Sequence, residues 1–316
     1  TLPEIAQTGA TGIVTALHEI SYGEVWPREA IAARRAMIEA AGFTWEVVES
    51  LPIHERIKRG EGDLAPLFAN YRDSMRNLAA EGVKVICYNF MPVIDWTRTD
   101  LTYKLNTGAY ALRFDQTKFA AFDLYILQRA DADADYTETE ISQAREAYQQ
   151  MSPEESEQLT HNIIAGLPGK MTDSYSLDDF KKALAQYRHI GHAELRDNLD
   201  RFLSHVLPKA EKLGVKLAIH PDDPPRDMFG LPRIICTADD LDRLFAQQPS
   251  SSNGITLCVG TYGSRPDNDL PAMARRFGSR INFAHLRGVS RDKNEQRSFY
   301  EANHLDSDID MVSVIR

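Results

Sequence analysis

Short apolar runs alternate with longer helical segments along most of the chain. The helical segments carry apolar residues at three- and four-residue spacing, which is typical of a helix that buries one face. The apolar runs are rich in valine, isoleucine and phenylalanine, as expected of parallel strands buried on both faces. Alternation of the two kinds predicts a parallel α/β fold. Clear examples of the helical segments are 27–40, 64–81 and 192–213.

A charged helical stretch, a glycine and an apolar run recur together as one unit. The unit occupies 37–50, 78–90, 210–223 and 274–288. Its glycine stands where a helix end in the left-handed conformation favours a residue without a Cβ. These predicted C-cap glycines are Gly42, Gly82, Gly214 and Gly278.

Seven parallel strands are predicted, of which the one at 111–115 has the weakest pattern. Seven is one fewer than a closed (β/α)8 barrel requires. We therefore expect a TIM-type barrel in which the eighth strand is missing from this chain, with 304–316 as the start of a further helix. The predicted strands begin near residues 12, 45, 83, 111, 215, 255 and 281.

One segment, 131–191, interrupts the alternation. It shows no strand pattern, and Ser152-Pro153-Glu154-Glu155 has the N-cap serine, first-turn proline and acidic first turn of a helix start. We interpret 131–191 as a helical insertion after the fourth strand of a single barrel domain spanning 1–316. A lid, a contact in a homodimer and a solvated outer helix pair remain open as its role.

Composition and charge exclude several classes of protein. The hydrophobic fraction of 43% and the charged fraction of 26% are those of a globular chain, and no apolar run is long enough for a membrane-spanning helix. A net charge of −10 means that a domain-wide basic footprint for nucleic acid is missing. No secretory signal is visible, and three scattered cysteines do not form a disulfide framework. The sequence thus predicts a cytoplasmic protein without nucleic-acid or membrane partners.

Three metal-capable side chains end successive predicted strands. They are His220, Cys258 and His285, each about one β/α unit from the next. A lone histidine or cysteine is more often an ordinary packed residue, but equivalent positions on neighbouring strands, roughly 4.8 Å apart, bring side chains together. The prediction is a metal site at the barrel mouth, and Cys87 and Cys236 should not belong to it. Imidazole and thiolate ligands suit zinc, iron or manganese.

Other polar groups follow the strand ends, among them Glu49, Asp95 and Asp223. Arginines near a metal indicate a small anion with hydroxyl groups, such as a sugar acid. The chain lacks a dinucleotide fingerprint, a P-loop and a nucleophile elbow. These absences leave the strand-end cluster as the candidate site.

Six sequence runs resemble the mannonate dehydratase family, nearly from end to end of the chain. The resemblance implies a metal-dependent, xylose-isomerase-like barrel that dehydrates D-mannonate to 2-keto-3-deoxy-D-gluconate with Mn²⁺ or Fe²⁺, in hexuronate (glucuronate) catabolism. It also implies that His220, Cys258 and His285 bind the metal. The runs are YNFMPVIDWTRTDL (88–101), ALRFDQTKFAAFD (111–123), NIIAGLPG (162–169), AIHPDDPPR (218–226), GLPRI (230–234) and FAHLRG (283–288).

The chain departs from the family pattern near its end. The family's fourth ligand and a catalytic histidine belong to a Pro-Asp-His-Gly stretch on the eighth strand, and nothing similar follows His304. The general base is therefore expected to be absent from this chain, and the catalytic residues stay unassigned. For the substrate carboxylate we assign Arg98 and Arg287. For its hydroxyls we assign Asp222, Asn89 and His18.

Two other functions remain open from the sequence. A xylose-isomerase-like sugar isomerase or epimerase shares the barrel and the metal, but Cys258 disfavours it because such sites use carboxylates and histidines. A non-catalytic barrel that only binds a sugar acid is the alternative outside the enzymes.

Overall fold

The computed structural model describes residues 1–164, 176–295 and 297–316. Its strands are numbered along the chain and fall into two sheets, one parallel and one antiparallel. The strands are β1 Gly12–Thr15, β2 Thr44–Val48, β3 Val85–Tyr88, β4 Asp100–Lys104, β5 Tyr110–Phe114, β6 Lys216–Ile219, β7 Asn253–Cys258, β8 Ile281–His285, β9 Gly288–Arg291 and β10 Phe299–Ala302.

Six strands form a curled parallel sheet in the order β1-β2-β3-β6-β7-β8. Every residue of β7 is buried, as expected of a central parallel strand covered on both faces. Among the described residues β1 and β8 each pair on one side only, so the curl is open at both edges. The predicted parallel β/α architecture is confirmed, and the open edges agree with an incomplete barrel.

The strand predicted at 111–115 exists, but the prediction that it belongs to the parallel sheet was wrong. It is β5, which pairs antiparallel with β4 and β10 in a separate sheet of order β4-β5-β10-β9. Only five residues connect β4 to β5, and Gly108 in that turn has a φ of +87°. A connection this short permits a hairpin but not the crossover that parallel strands require. The parallel sheet consequently has six strands rather than seven.

The helices agree closely with the sequence pattern. Helices α2, α4 and α9 correspond to the segments predicted at 27–40, 64–81 and 192–213. The α-helices are α1 Leu2–Gln7, α2 Arg28–Ala40, α3 Glu55–Arg59, α4 Ala65–Ala80, α5 Gln116–Ala121, α6 Glu138–Gln150, α7 Pro153–Ile164, α8 Leu177–Ala185, α9 His192–Leu213, α10 Ala238–Gln247, α11 Val259–Gly263, α12 Leu270–Phe277 and α13 Met311–Ile315.

Three of the four predicted C-cap glycines adopt the left-handed conformation. Gly42, Gly82 and Gly214 have φ values of +84°, +85° and +64°. Gly278 does not: its φ is −48°, and it begins a 3₁₀ turn, Gly278–Arg280, that leads into β8. The helix of the repeated unit therefore ends either at a left-handed glycine or in a 3₁₀ turn, because a 3₁₀ turn can also satisfy the last carbonyls of a helix.

The described part of 131–191 contains helices and no strand, as predicted. Ser152 accepts a hydrogen bond from the Glu155 amide at 3.2 Å at the start of α7, and Thr137 and Ser176 cap α6 and α8. Residues 165–175 lie outside the described residues. In the part of the chain that the structure describes, we find no helix with the length and apolar character needed to cross a bilayer.

Candidate metal centre

The carboxyl ends of the parallel strands surround a cavity of about 390 Å³. Because parallel strands point the same way, the residue after each strand comes to the same edge of the sheet. The ends of β1, β2, β3, β6 and β8 bring polar groups there. The strand-end residues that line the cavity include His18, Glu49, Asn89, His220, His285 and Arg287.

His220, Cys258 and His285 converge at this edge, as predicted. One potential ligand atom of each lies within 4.8 Å of the others. Cys258 pairs directly with His285 across β7 and β8, and the two imidazole rings are 5.2 Å apart between centroids. Cys258 is buried, whereas both histidines are partly exposed. The two histidines therefore line the cavity, and the cysteine lies buried next to them.

The three groups shift one another's protonation. Burial disfavours the Cys258 thiolate, but the charges of His220 and Arg287 outweigh it and hold the thiol pKa well below its usual value. Burial likewise opposes the charge on His285, yet its contacts with Cys258 and Glu49 raise the imidazole pKa to about 10. A thiolate is the form of cysteine that binds metals. The surroundings of Cys258 therefore favour its thiolate form, whose charge a metal ion could balance in place of protons.

Each histidine has one ring nitrogen already committed. His220 Nδ1 donates to the Pro221 carbonyl at 2.7 Å, and His285 Nε2 donates to the Glu49 carboxylate at 2.7 Å. This leaves one nitrogen of each ring for a metal. Two neutral imidazoles and a thiolate fit a divalent transition metal.

A buried carboxylate, Asp223, organises the wall beside these groups. It accepts two hydrogen bonds from Arg98 at 2.8 and 3.1 Å, one from Arg287 at 3.1 Å and one from Thr261 at 2.8 Å. Burial opposes its charge, but Arg98 and Arg287 dominate and hold the carboxyl pKa far below its usual value. The Thr261 hydroxyl is also 3.1 Å from the Cys258 sulfur. Asp223 therefore connects the arginines to the thiolate.

Arg287, Asn89 and His18 lie on the cavity wall, where the sequence places substrate contacts. Arg98 and Asp222 do not. Arg98 is fully buried on Asp223 between the rings of Trp96 and Phe299, and its expected contact with a carboxylate is made to a protein group instead. Asp222 is 2% exposed, and its carboxylate accepts hydrogen bonds from the backbone amides of Ile234 and Ile235 at 2.6 and 2.8 Å. Its role is therefore to bind the backbone of this loop.

Sequence reasoning placed Glu49, Asp95 and Asp223 at strand ends without assigning them a role. All three line the cavity. The only sequence signal for them was a position after a strand, and many residues that merely cap helices have the same position. Trp26 and Trp96 form apolar parts of the same wall, and no pattern in the sequence indicates this.

The other two cysteines stay out of the cluster, as predicted. Cys236 lies 3.6 Å from the carboxylate of Asp222. Cys87 also lines the cavity, and its sulfur is 3.2 Å from the Thr256 hydroxyl and 3.7 Å from the Glu49 carboxylate. Burial raises the pKa of both thiols well above the usual value, so neither is a ready thiolate.

Comparison with known proteins identifies the family. The sequence model of D-mannonate dehydratase (UxuA) matches residues 1–316. The chain belongs to the D-mannonate dehydratase family. The mannonate dehydratases of Chromohalobacter salexigens and a Marinomonas species are 54% and 53% identical to it over 316 residues, which are 100% of this chain and 80% of each relative.

A solved structure supports the same family. The mannonate dehydratase of Streptococcus suis serotype 2 is 36% identical and superimposes with a TM-score of 0.75, covering 100% of this chain and 75% of that one. The cluster of His220, Cys258 and His285 is thus part of a mannonate dehydratase fold, at the strand edge where barrels of this kind place their active sites.

Proposed function

We propose that this protein dehydrates D-mannonate to 2-keto-3-deoxy-D-gluconate at a divalent metal centre formed by His220, Cys258 and His285. The observation that carries the proposal is the convergence of these three side chains within 4.8 Å beside a polar cavity. Membership in the D-mannonate dehydratase family supplies the substrate class. We further propose Mn²⁺ or Fe²⁺ as the metal, from the family resemblance.

A bound divalent ion would act as a Lewis acid that stabilises negative charge developing on the substrate oxygens. His220, Cys258 and His285 would hold this ion. His220 and His285 each keep one ring nitrogen anchored, and Cys258 is buried at the end of a central strand. These contacts support the proposal that the three donors are positioned by the protein itself.

The reaction removes the proton on C2 and the hydroxyl group on C3, and the resulting enol tautomerises to the keto acid. We propose that Arg287 pairs with the substrate carboxylate, because its guanidinium reaches the cavity wall while Asp223 and Thr261 orient it. Asn89 and His18, which also line the cavity, are proposed to contact the hydroxyls of the substrate. The base at C2 is not assigned to any residue of this chain.

The setting that we propose follows from sequence and family. The protein would act on a free sugar acid in glucuronate catabolism in the cytoplasm, without nucleic-acid partners. Residues 1–316 would form one barrel domain with 131–191 as its helical insertion, for which a lid or a homodimer contact is the proposed role. Its net charge of −10 makes a local positive group such as Arg287 necessary for binding an anion.

The test is an assay of the purified protein with D-mannonate and added Mn²⁺. We expect keto acid to form, and we expect it to stop when the metal is chelated. Isomerisation of an aldose without keto acid would favour the isomerase. Binding of D-mannonate without conversion of any substrate would favour the non-catalytic barrel.

A further inference from the structure

The two histidines of the candidate centre are anchored by different kinds of partner. His220 Nδ1 donates to a backbone carbonyl, that of Pro221, at 2.7 Å. His285 Nε2 donates to a side-chain carboxylate, that of Glu49, at 2.7 Å. Nε2 of His220 and Nδ1 of His285 are consequently the nitrogens left to bind a metal.

The contact between Glu49 and His285 crosses the mouth of the barrel. Glu49 follows β2 and His285 ends β8, and three strands of the sheet, β3, β6 and β7, lie between them. The Glu49 side chain is 32% exposed and that of His285 is 25% exposed. The second oxygen of Glu49 is 3.7 Å from the Cys87 sulfur. This carboxylate is therefore held between a buried thiol and the ring of His285.

Glu49 is close to the cluster but not a member of it. Among the described residues, the group whose ligand atoms all lie within 4.8 Å of one another contains His220, Cys258 and His285 and omits Glu49. Its carboxylate contacts the far nitrogen of one ligand instead. A carboxylate in that position fixes the tautomer and the orientation of the imidazole and increases its basicity toward a metal.

We propose that Glu49 is a positioning residue of the metal centre. Its carboxylate accepts a hydrogen bond from the Nε2–H group of His285 and thereby presents Nδ1 of that ring to the metal. The proposal rests on the metal centre described under the proposed function and adds a residue outside its ligand set. It does not depend on which reaction the centre supports.

The experiment titrates the metal-free 316-residue chain with Co²⁺ and follows the thiolate-to-cobalt absorption band. Removing the group that hydrogen-bonds to the other ring nitrogen of a metal-bound histidine typically weakens metal binding by about 10- to 100-fold. We expect a loss of this size in Glu49→Ala. Glu49→Gln should bind between the parent and Glu49→Ala, because its amide oxygen still accepts a hydrogen bond without the charge. Glu19→Gln, which removes the same charge outside the cavity, should bind as the parent does.

A double-mutant cycle separates positioning from direct ligation. In the His285→Ala background, Glu49→Gln should cause no further loss of Co²⁺ affinity, because the ring it holds is gone. A further loss of the same size would overturn the proposal in favour of a direct ligand. Each metal-free variant should still unfold in one cooperative thermal transition, which shows that a loss of Co²⁺ affinity is not a loss of the fold. Unaltered Co²⁺ affinity in Glu49→Gln and Glu49→Ala would also overturn the proposal.

The outcome is distinct from that of the activity assay. A parent chain that shows no Cys258-dependent cobalt band would overturn the metal centre and this proposal together. A parent chain that binds Co²⁺ but forms no keto acid with Mn²⁺ contradicts the proposed reaction alone, and weakened binding in Glu49→Ala would still support the positioning role.

Discussion

The buried pair between Arg98 and Asp223 allows a quantitative test of the cavity wall. Both side chains are essentially inaccessible, at 0% and 1% exposure, and they share two hydrogen bonds of 2.8 and 3.1 Å. Arg98→Met keeps most of the stem volume between Trp96 and Phe299 but removes the charge. Breaking a buried pair from one side costs about 3–5 kcal/mol, because the other charge stays buried.

We expect the lower end of that range, about 3 kcal/mol in the free energy of unfolding, because Arg287 and Thr261 still donate to the carboxylate. Urea unfolding of the metal-free protein measures it. Arg76→Met is the matched control, since Arg76 pairs with Asp73 on the surface at 51% and 41% exposure. The control should lose about 0.2–1 kcal/mol. A loss in Arg98→Met as small as that of the control would refute the reasoning.

The same variant carries a pH signature. The neighbouring arginines outweigh burial and depress the Asp223 pKa in the folded state, so its contribution to stability is present above the unfolded value of 3.8 and lost as the pH falls. Without Arg98 the depression is smaller. We therefore expect the stability of the parent to hold to lower pH than that of Arg98→Met. If the free energy of unfolding of both proteins fell over the same pH range, this assignment would be contradicted.

Three further predictions concern the metal and the substrate. Cys258→Ser should abolish tight metal retention, measured as metal content after dialysis, whereas Cys236→Ser should retain it; equal retention by both would contradict the ligand set. Mn²⁺ at a hundred times its Kd should raise the free energy of unfolding by about 2.7 kcal/mol, reversed by chelation, and an unshifted thermal midpoint would argue against a site in the folded state. Arg287→Met should raise KM for D-mannonate by about 10- to 100-fold through loss of a charged hydrogen bond, while the exposed Arg275→Met should not; equal KM values would exclude the carboxylate contact.

Much of the fold was predictable because local patterns encode it. The apolar periodicity of α9 and its cap at Gly214 depend on residues within one or two turns, and the structure has both where the sequence predicts them. The same holds for Ser152 at the start of α7. Convergence of His220, Cys258 and His285 was predictable for a related reason, since parallel strands bring their carboxyl ends to one edge.

Other features depended on partners distant in the sequence. β5 has the composition of a parallel strand, yet its pairing with β10, more than 180 residues later, places it in the second sheet. Arg98 and Arg287 are both arginines near strand ends and both contact Asp223, and only tertiary packing decides that one is buried and the other reaches the cavity. Likewise Asp222 and Asp223 are neighbours in a loop, where no alternation rule fixes which carboxylate faces the site.

The sequence by itself determined the parallel β/α architecture, most helix ends and the three strand-end donors, because each follows from periodicity, caps or the direction of the strands. Tertiary structure alone decided the contact between Glu49 and His285, which crosses the barrel mouth from one strand end to another. The physical reason is that curling of the sheet sets such distances, and the curl results from the packing of all strands and helices together rather than from any one segment.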